Sequence, residues 1–159
     1  MATSENRFIL EQLAALIEDW DGTIECRYCH LANASALLFS HFDRINWLGF
    51  YLATAGNQAL ILGPFQGKVA CTDISFDRGV CGKAVRTGKS VYVADVHTFL
   101  DHIACDSASR SEFVVPLMDK EDVVVGVLDV DSPELSRFSD NDQVLLEEAG
   151  RIISRLLWS

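Results

Sequence analysis

Apolar residues recur at three- and four-residue steps from Ser4 to Trp20, at Phe8, Ile9, Leu13, Leu16, Ile17 and Trp20, which predicts an amphipathic helix. Asp21-Gly22 interrupts it. A second helix follows to about Asp43, with Ile24, Tyr28, Leu31, Ser35, Leu38 and Phe42 on a stripe expected to pack on a sheet. Ile45 to Ala53 and Gln58 to Leu62 read as strands around an Ala55-Gly56-Asn57 turn. After the interruption Gly63-Pro64-Phe65-Gln66-Gly67, a strand is expected over Val69 to Ile74, a short helix from Gly79 to Gly88, and a brief strand at Val91 to Val93. Asp95 to Ser111 shows little periodicity and reads as a long irregular segment.

Glu112 to Met118 and Val123 to Val130 form a second hairpin candidate across the charged turn Asp119-Lys120-Glu121-Asp122, both strands strongly apolar. The last helix, about 139–158, opens on Ser139, with Asp142 answering it in a capping box. It is expected to bury Val144, Leu145, Ala149, Ile152, Ile153, Leu156 and Leu157. Helices over about 4–43, a sheet with an inserted helix over about 45–131 and a closing helix make an α+β layout. With 159 residues and no linker or repeat, the chain reads as a single domain.

Charge narrows the partners. Thirteen basic against 23 acidic residues give a net −10, a surface that repels phosphate backbones and anionic lipid, so neither nucleic acid nor membrane is expected. The start MATSENRFIL has neither the basic opening nor the apolar stretch of a secretion signal, and the expectation is a cytoplasmic protein. In that reducing compartment the five cysteines, Cys26, Cys29, Cys71, Cys81 and Cys105, are left to packing, metal binding or redox chemistry.

Two carboxylates stand out. Asp129 and Asp131 lie two apart at the end of an apolar strand, so they share a face, one on which Val125 and Val127 are expected to precede them. Convergence with Glu112 would raise the pKa of at least one of the three, providing an acid while the others attract a cation. Trp47 and Tyr51, four apart on a strand, also share a face and could wall a ligand or pack in the core. Among the cysteines, Cys81 sits near a predicted helix N-terminus, where the dipole favours a thiolate. Cys105 has the acidic neighbours Asp101 and Asp106, which His102 or a bound ammonium would have to offset, although the small Ala104, Ser107 and Ala108 leave it accessible. Cys26-Arg27-Tyr28-Cys29-His30 matches the bare haem-attachment pattern, but no signal segment accompanies it. No second cysteine pair follows at zinc-finger spacing, so both cysteines read as helix-surface residues and no metal is assigned.

A larger pattern joins these pieces. Ile45-Asn46-Trp47-Leu48-Gly49-Phe50-Tyr51-Leu52, Leu62 to Cys71, Arg78-Gly79-Val80-Cys81-Gly82, Asp95-Val96-His97, His102 to Ser109, Ser111-Glu112 and Gly126 to Ser132 resemble, in order, the blocks of the free methionine-R-sulfoxide reductases, a GAF-domain family. The resemblance covers about residues 33–145. It implies a GAF fold, a central antiparallel six-stranded sheet flanked by helices. It further implies reduction of free methionine-R-sulfoxide, with Cys105 attacking, Cys71 resolving and Cys81 as an additional site cysteine. Trp47, Tyr51, Glu112, Asp129 and Asp131 become substrate-binding candidates. No bound cofactor is implied; the external reductant is thioredoxin with NADPH, and members are commonly homodimers. The chemistry needs two cysteines able to meet, because the sulfenic acid left after oxygen transfer must be captured by a second thiol. Two other classes stay open: a GAF module that binds a small ligand as a sensor, and a thiol switch that answers peroxide without turning over a sulfoxide.

Overall fold

Thr3 and Thr23 each turn a hydroxyl back to an orphan backbone N–H, on Asn6 and Cys26, and so start α1 (Ser4–Ile17) and α2 (Ile24–His41). A computed structural model describes residues 3–56, 58–100 and 108–159. Its strands are β1 (Trp47–Ala53), β2 (Ala59–Gly67), β3 (Asp73–Ser75), β4 (Val91–Val93), β5 (Ser111–Met118) and β6 (Val124–Ser132), with α3 (Gly79–Thr87) between β3 and β4 and α4 (Asp140–Leu157) at the end. They form one six-stranded antiparallel sheet in the order β3-β2-β1-β6-β5-β4. The α+β layout is as the sequence predicts.

Strand alternation divides the interior in two. Leu48, Phe50, Phe113, Val115, Leu117, Leu128 and Val130 point to one face, where α2 packs on β1 and β2, α4 packs on β5, and α1 lies against both helices. Trp47, Tyr51, Val114 and Val127 point to the other, covered by Val80, Cys81 and Ala84 of α3. Each fully buried Leu, Val or Phe contributes roughly 1.5–3 kcal/mol. The polar candidates all lie on the second face.

The predicted caps are present. Ser139 and Asp142 form the capping box of α4, and α3 stops at Gly88, whose φ of +63° suits glycine. Four expectations need correction. β2 runs on through Pro64 to Gly67: Phe50 opposes both Gly63 and Pro64 in a bulge, and β3 pairs only with Ala59 to Ile61, so the missing proline N–H breaks no ladder. For the same reason the strand expected over Val69 to Ile74 shrinks to β3, and Val69 is exposed. The β5–β6 pairing also carries a bulge, since Leu117 and Met118 face Gly126 and Val124; the extra residue, Val125, turns to the α-helical face and does not share the side of Val127. On the helices, Phe8, Leu16, Ile24, Tyr28 and Val144 stay exposed, because only the centre of each stripe meets the sheet or a neighbouring helix, and Ala34 and Leu146 are buried instead. Among the described residues of the segment 95–111, a 3-10 turn forms at Val96–Thr98. Among the described residues no helix is long and apolar enough to cross a membrane.

Candidate active site

The register of β1, β6 and β5 brings the acidic candidates together. Asp131 lies between Trp47 of β1 and Glu112 of β5, and Asp129 lies one step along, between Gly49 and Val114. Across this patch the first turn of α3 lays Cys81. Glu112, Asp129 and Cys81 are all buried, and each offers a donor atom within 4.8 Å of the others. Asp131 is half-buried.

Two carboxyl groups in contact inside a protein cannot both carry charge. Burial first, then Asp129 and Asp131, push the Glu112 carboxyl well above the usual range. Burial also raises Asp129, to about 6, and hydrogen bonds from Glu112 and Cys81 limit the rise. At neutral pH, Glu112 therefore keeps its proton and shares it with an ionised Asp129. Asp129 Oδ1 is buried with no hydrogen-bond partner among the described residues, an acceptor open to a donor. The Cys81 thiol donates to Asp129, and burial, then Asp129, Glu112 and Asp131, push it well up. This reverses the expectation from the helix dipole: an uncharged N-terminal turn contributes about 0.3–1 kcal/mol toward an anion, too little against full burial beside carboxylates. Thiol and carboxylates so close could also grip a cation, and hydrogen bonds from Glu112 and Cys81 to Asp129 link them.

An aromatic wall borders this cluster. The Trp47 ring stacks on Tyr51 at 5.7 Å and on Phe65 at 5.2 Å, centroid to centroid. Gly49 makes the stack possible, since a Cβ there would stand 2.2 Å from the Phe65 Cβ and 2.8 Å from the Trp47 ring. Both predicted aromatics also tie down the chain that carries a cysteine: the Tyr51 hydroxyl donates to the Cys71 carbonyl at 2.9 Å, and Trp47 Nε1 to the Lys68 carbonyl at 3.2 Å. Burial, then Asp129, raises the Tyr51 phenol, so it remains a neutral donor. Phe65 escaped the sequence reading because residues 63–67 looked like a strand break; its place opposite Gly49 follows from the bulge.

Cys71 is half-buried and disulfide-bonded, whereas Cys26, Cys29 and Cys81 carry free thiols. Cys105, with Asp101, His102 and Asp106, lies outside the described residues. The flanks of that segment are anchored beside the site: Val96 N donates to Arg110 O at 2.8 Å, and Asn46 Nδ2 donates to the buried Ser109 hydroxyl at 3.2 Å. Seven of the eight predicted site residues are thus placed. Glu112, Asp129, Asp131, Cys81, Trp47 and Tyr51 share one sheet face or the helix above it, with Cys71 tethered to it through Tyr51.

Comparison with known proteins follows the same lines. A family model of the GAF domain matches residues 31–157. The free methionine-R-sulfoxide reductase of Escherichia coli (strain K12) is 48% identical over 127 residues, which cover 80% of this chain and 75% of that protein. The Saccharomyces cerevisiae protein of the same name is 41% identical over 153 residues, 92% of this chain and 84% of its own. The X-ray structure of free methionine-R-sulfoxide reductase from Neisseria meningitidis, in complex with its substrate, superimposes with a TM-score of 0.88 at 40% identity, covering 99% of this chain and 92% of that one.

Proposed function

The chain belongs to the GAF-domain family of free methionine-R-sulfoxide reductases, and from that premise we propose that it reduces free L-methionine-R-sulfoxide to L-methionine, with Cys105 as nucleophile, Cys71 as resolving cysteine and thioredoxin as reductant. The observation that supports this most is the buried cluster of Glu112, Asp129 and Cys81 beside an aromatic wall that holds the Cys71 segment. A sulfoxide needs three things at once: a thiolate at sulfur, a proton for the departing oxygen and a surface for the methyl and thioether groups.

In this reading the Cys105 thiolate attacks sulfur, the S–O bond breaks, and oxygen passes to Cys105 as a sulfenic acid while methionine leaves. Glu112, neutral at physiological pH, supplies the proton that the oxygen takes as it transfers. The Cys71 thiol then displaces water from the sulfenic acid, giving the Cys71–Cys105 disulfide. The disulfide on Cys71 and the free thiols of Cys26, Cys29 and Cys81 agree with that oxidised state. A thioredoxin dithiol reopens it by exchange, and NADPH recharges thioredoxin. Cys81 keeps its proton and acts by hydrogen-bonding Asp129, not by attack. Asp129 and Asp131 hold the substrate ammonium, which explains a preference for the free amino acid: acylating that nitrogen would leave the Asp129 charge buried without a counter-ion.

The test is NADPH consumption coupled through thioredoxin and thioredoxin reductase, with the free R sulfoxide, its S epimer and the N-acetylated R form. Turnover of the free R form alone supports the proposal. Equal use of the N-acetylated form removes the ammonium argument, and no turnover of any moves the protein to the ligand-binding modules of the GAF fold.

A further inference from the structure

An ammonium group is held by oxygen acceptors and gains little from sulfur, yet the cluster on the second sheet face contains a thiol. Glu112 on β5, Asp129 on β6 and Cys81 in the first turn of α3 come from three separate elements, and one donor atom of each lies within 4.8 Å of the others. Cys81 is 3% exposed, and Glu112 and Asp129 are each 6% exposed. The fold itself sets this convergence. β5 and β6 pair with Glu112 opposite Asp131 and Val114 opposite Asp129, so the carboxyl groups stand on neighbouring strands. Val80 and Ala84, buried against the same face, seat α3 so that Cys81 lies over them.

One sulfur and two carboxylate oxygens form a donor set for a thiophilic divalent metal ion. With bonds of about 2.3 Å to sulfur and about 2.1 Å to oxygen, a tetrahedral ion sets its ligand atoms roughly 3.5 Å apart, so small side-chain shifts of roughly 1 Å close the shell. A second feature points the same way. The bonds from Glu112 and Cys81 fall on one oxygen of Asp129, while its Oδ1, also buried, has no partner among the described residues. Asp131, cross-strand neighbour of Glu112 and half-buried, gives the cluster a partly exposed edge through which an ion and its remaining water enter.

We propose that Cys81, Glu112 and Asp129 bind a thiophilic divalent metal ion, zinc being the best match, with water in the fourth position. Ligation releases the protons of the Cys81 thiol and the Glu112 carboxyl to solvent, and the ion takes their place. Two single positive charges leave and one double charge enters, so the net charge of the buried cluster does not change. Tyr51 of β1 and Asp131 of β6 also face it; the phenol stays neutral and Asp131 adds to the attraction for a cation. Because Asp129 is also the proposed partner of the substrate ammonium, ion and substrate exclude each other. That consequence rests on the reductase reading, whereas the ion site itself does not.

The test uses the full-length protein in its disulfide form, in which neither Cys71 nor its partner offers a thiolate. Cobalt(II) is the spectroscopic probe and zinc the competitor, and far-ultraviolet circular dichroism checks that each variant folds. We expect a thiolate-to-cobalt charge-transfer band and tetrahedral d–d bands in the wild type and in Cys26→Ser/Cys29→Ser, both reversed by zinc and both absent in Cys81→Ser. Zinc should raise the melting temperature of the wild type and not of Cys81→Ser. Should Cys81→Ser fail to fold, Asp129→Asn removes a ligand charge with little change of shape. It should weaken cobalt affinity by at least the 10–100-fold typical of losing a supporting group at a metal site. Bands that persist in Cys81→Ser, that vanish in Cys26→Ser/Cys29→Ser, that keep wild-type affinity in Asp129→Asn, or that never form would overturn the proposal. None of these readings requires turnover: a protein that reduces the sulfoxide without binding cobalt loses the ion site alone, and one that binds cobalt without turnover loses the reductase reading alone.

Discussion

Replacing Asp129 by asparagine should make the protein more stable at neutral pH and less stable in acid. The Asp129 carboxyl is raised from its ordinary 3.8 to about 6 by burial. A carboxyl that binds its proton more tightly in the folded chain than in the unfolded one favours folding below the unfolded value. That advantage is lost as pH rises between about 4 and 6. At about 1.4 kcal/mol for each tenfold change in proton affinity, the buried charge costs about 3 kcal/mol above pH 6. Asp129→Asn removes this cost and keeps an acceptor for Glu112 and Cys81, but leaves amide N–H groups short of partners, at about 1 kcal/mol. The net expectation is a variant about 2 kcal/mol more stable than wild type near pH 7.5 and about 1 kcal/mol less stable near pH 4. Urea unfolding followed by tryptophan fluorescence across that range measures it. A stability difference that stays constant with pH, or a variant less stable at pH 7.5, would refute the assignment of a buried charge to Asp129. Sulfoxide turnover should fall sharply in the same variant, the trade of stability against function expected at a strained polar site.

Two further outcomes follow from the aromatic wall. Tyr51→Phe removes the hydroxyl that donates to the Cys71 carbonyl, so stability should fall by about 1 kcal/mol. Disulfide formation after a single turnover should slow while KM for the sulfoxide changes little, and unchanged resolution kinetics would show that the tether does not position Cys71. Gly49→Ala forces a methyl group to within 2.2 Å of the Phe65 Cβ. We expect a loss of about 1–3 kcal/mol from overpacking and weaker near-ultraviolet circular dichroism as the Trp47 stack opens; a variant with wild-type melting and spectrum would mean that the stack does not depend on this close approach.

How much of this was legible in the sequence depended on how local each cause is. The α3 stop at Gly88, the Ser139–Asp142 capping box and the β5–β6 hairpin around 119–122 are written in neighbouring residues, and all three form as expected. The two bulges are not local. Whether Gly63-Pro64 ends a strand or bends it depends on β1 lying alongside, and whether Val125 shares a side with Val127 depends on pairing with β5. Spacing placed Asp129 and Asp131 on one side of β6, and their meeting with Glu112 followed once β5 and β6 paired. Cys81 shows the opposite failure: its position at a helix start was read correctly, but its burial against two carboxyls, which decides its protonation, is set by how α3 docks on the sheet.

The most direct test of the account is a single turnover without external reductant. Fully reduced protein is mixed with free L-methionine-R-sulfoxide, the methionine formed is counted, and the disulfide is mapped by peptide mass spectrometry. The account predicts about one methionine per chain, a Cys71–Cys105 disulfide, and Cys26, Cys29 and Cys81 still as thiols. Absence of methionine, or a disulfide that leaves Cys71 or Cys105 free, would contradict it.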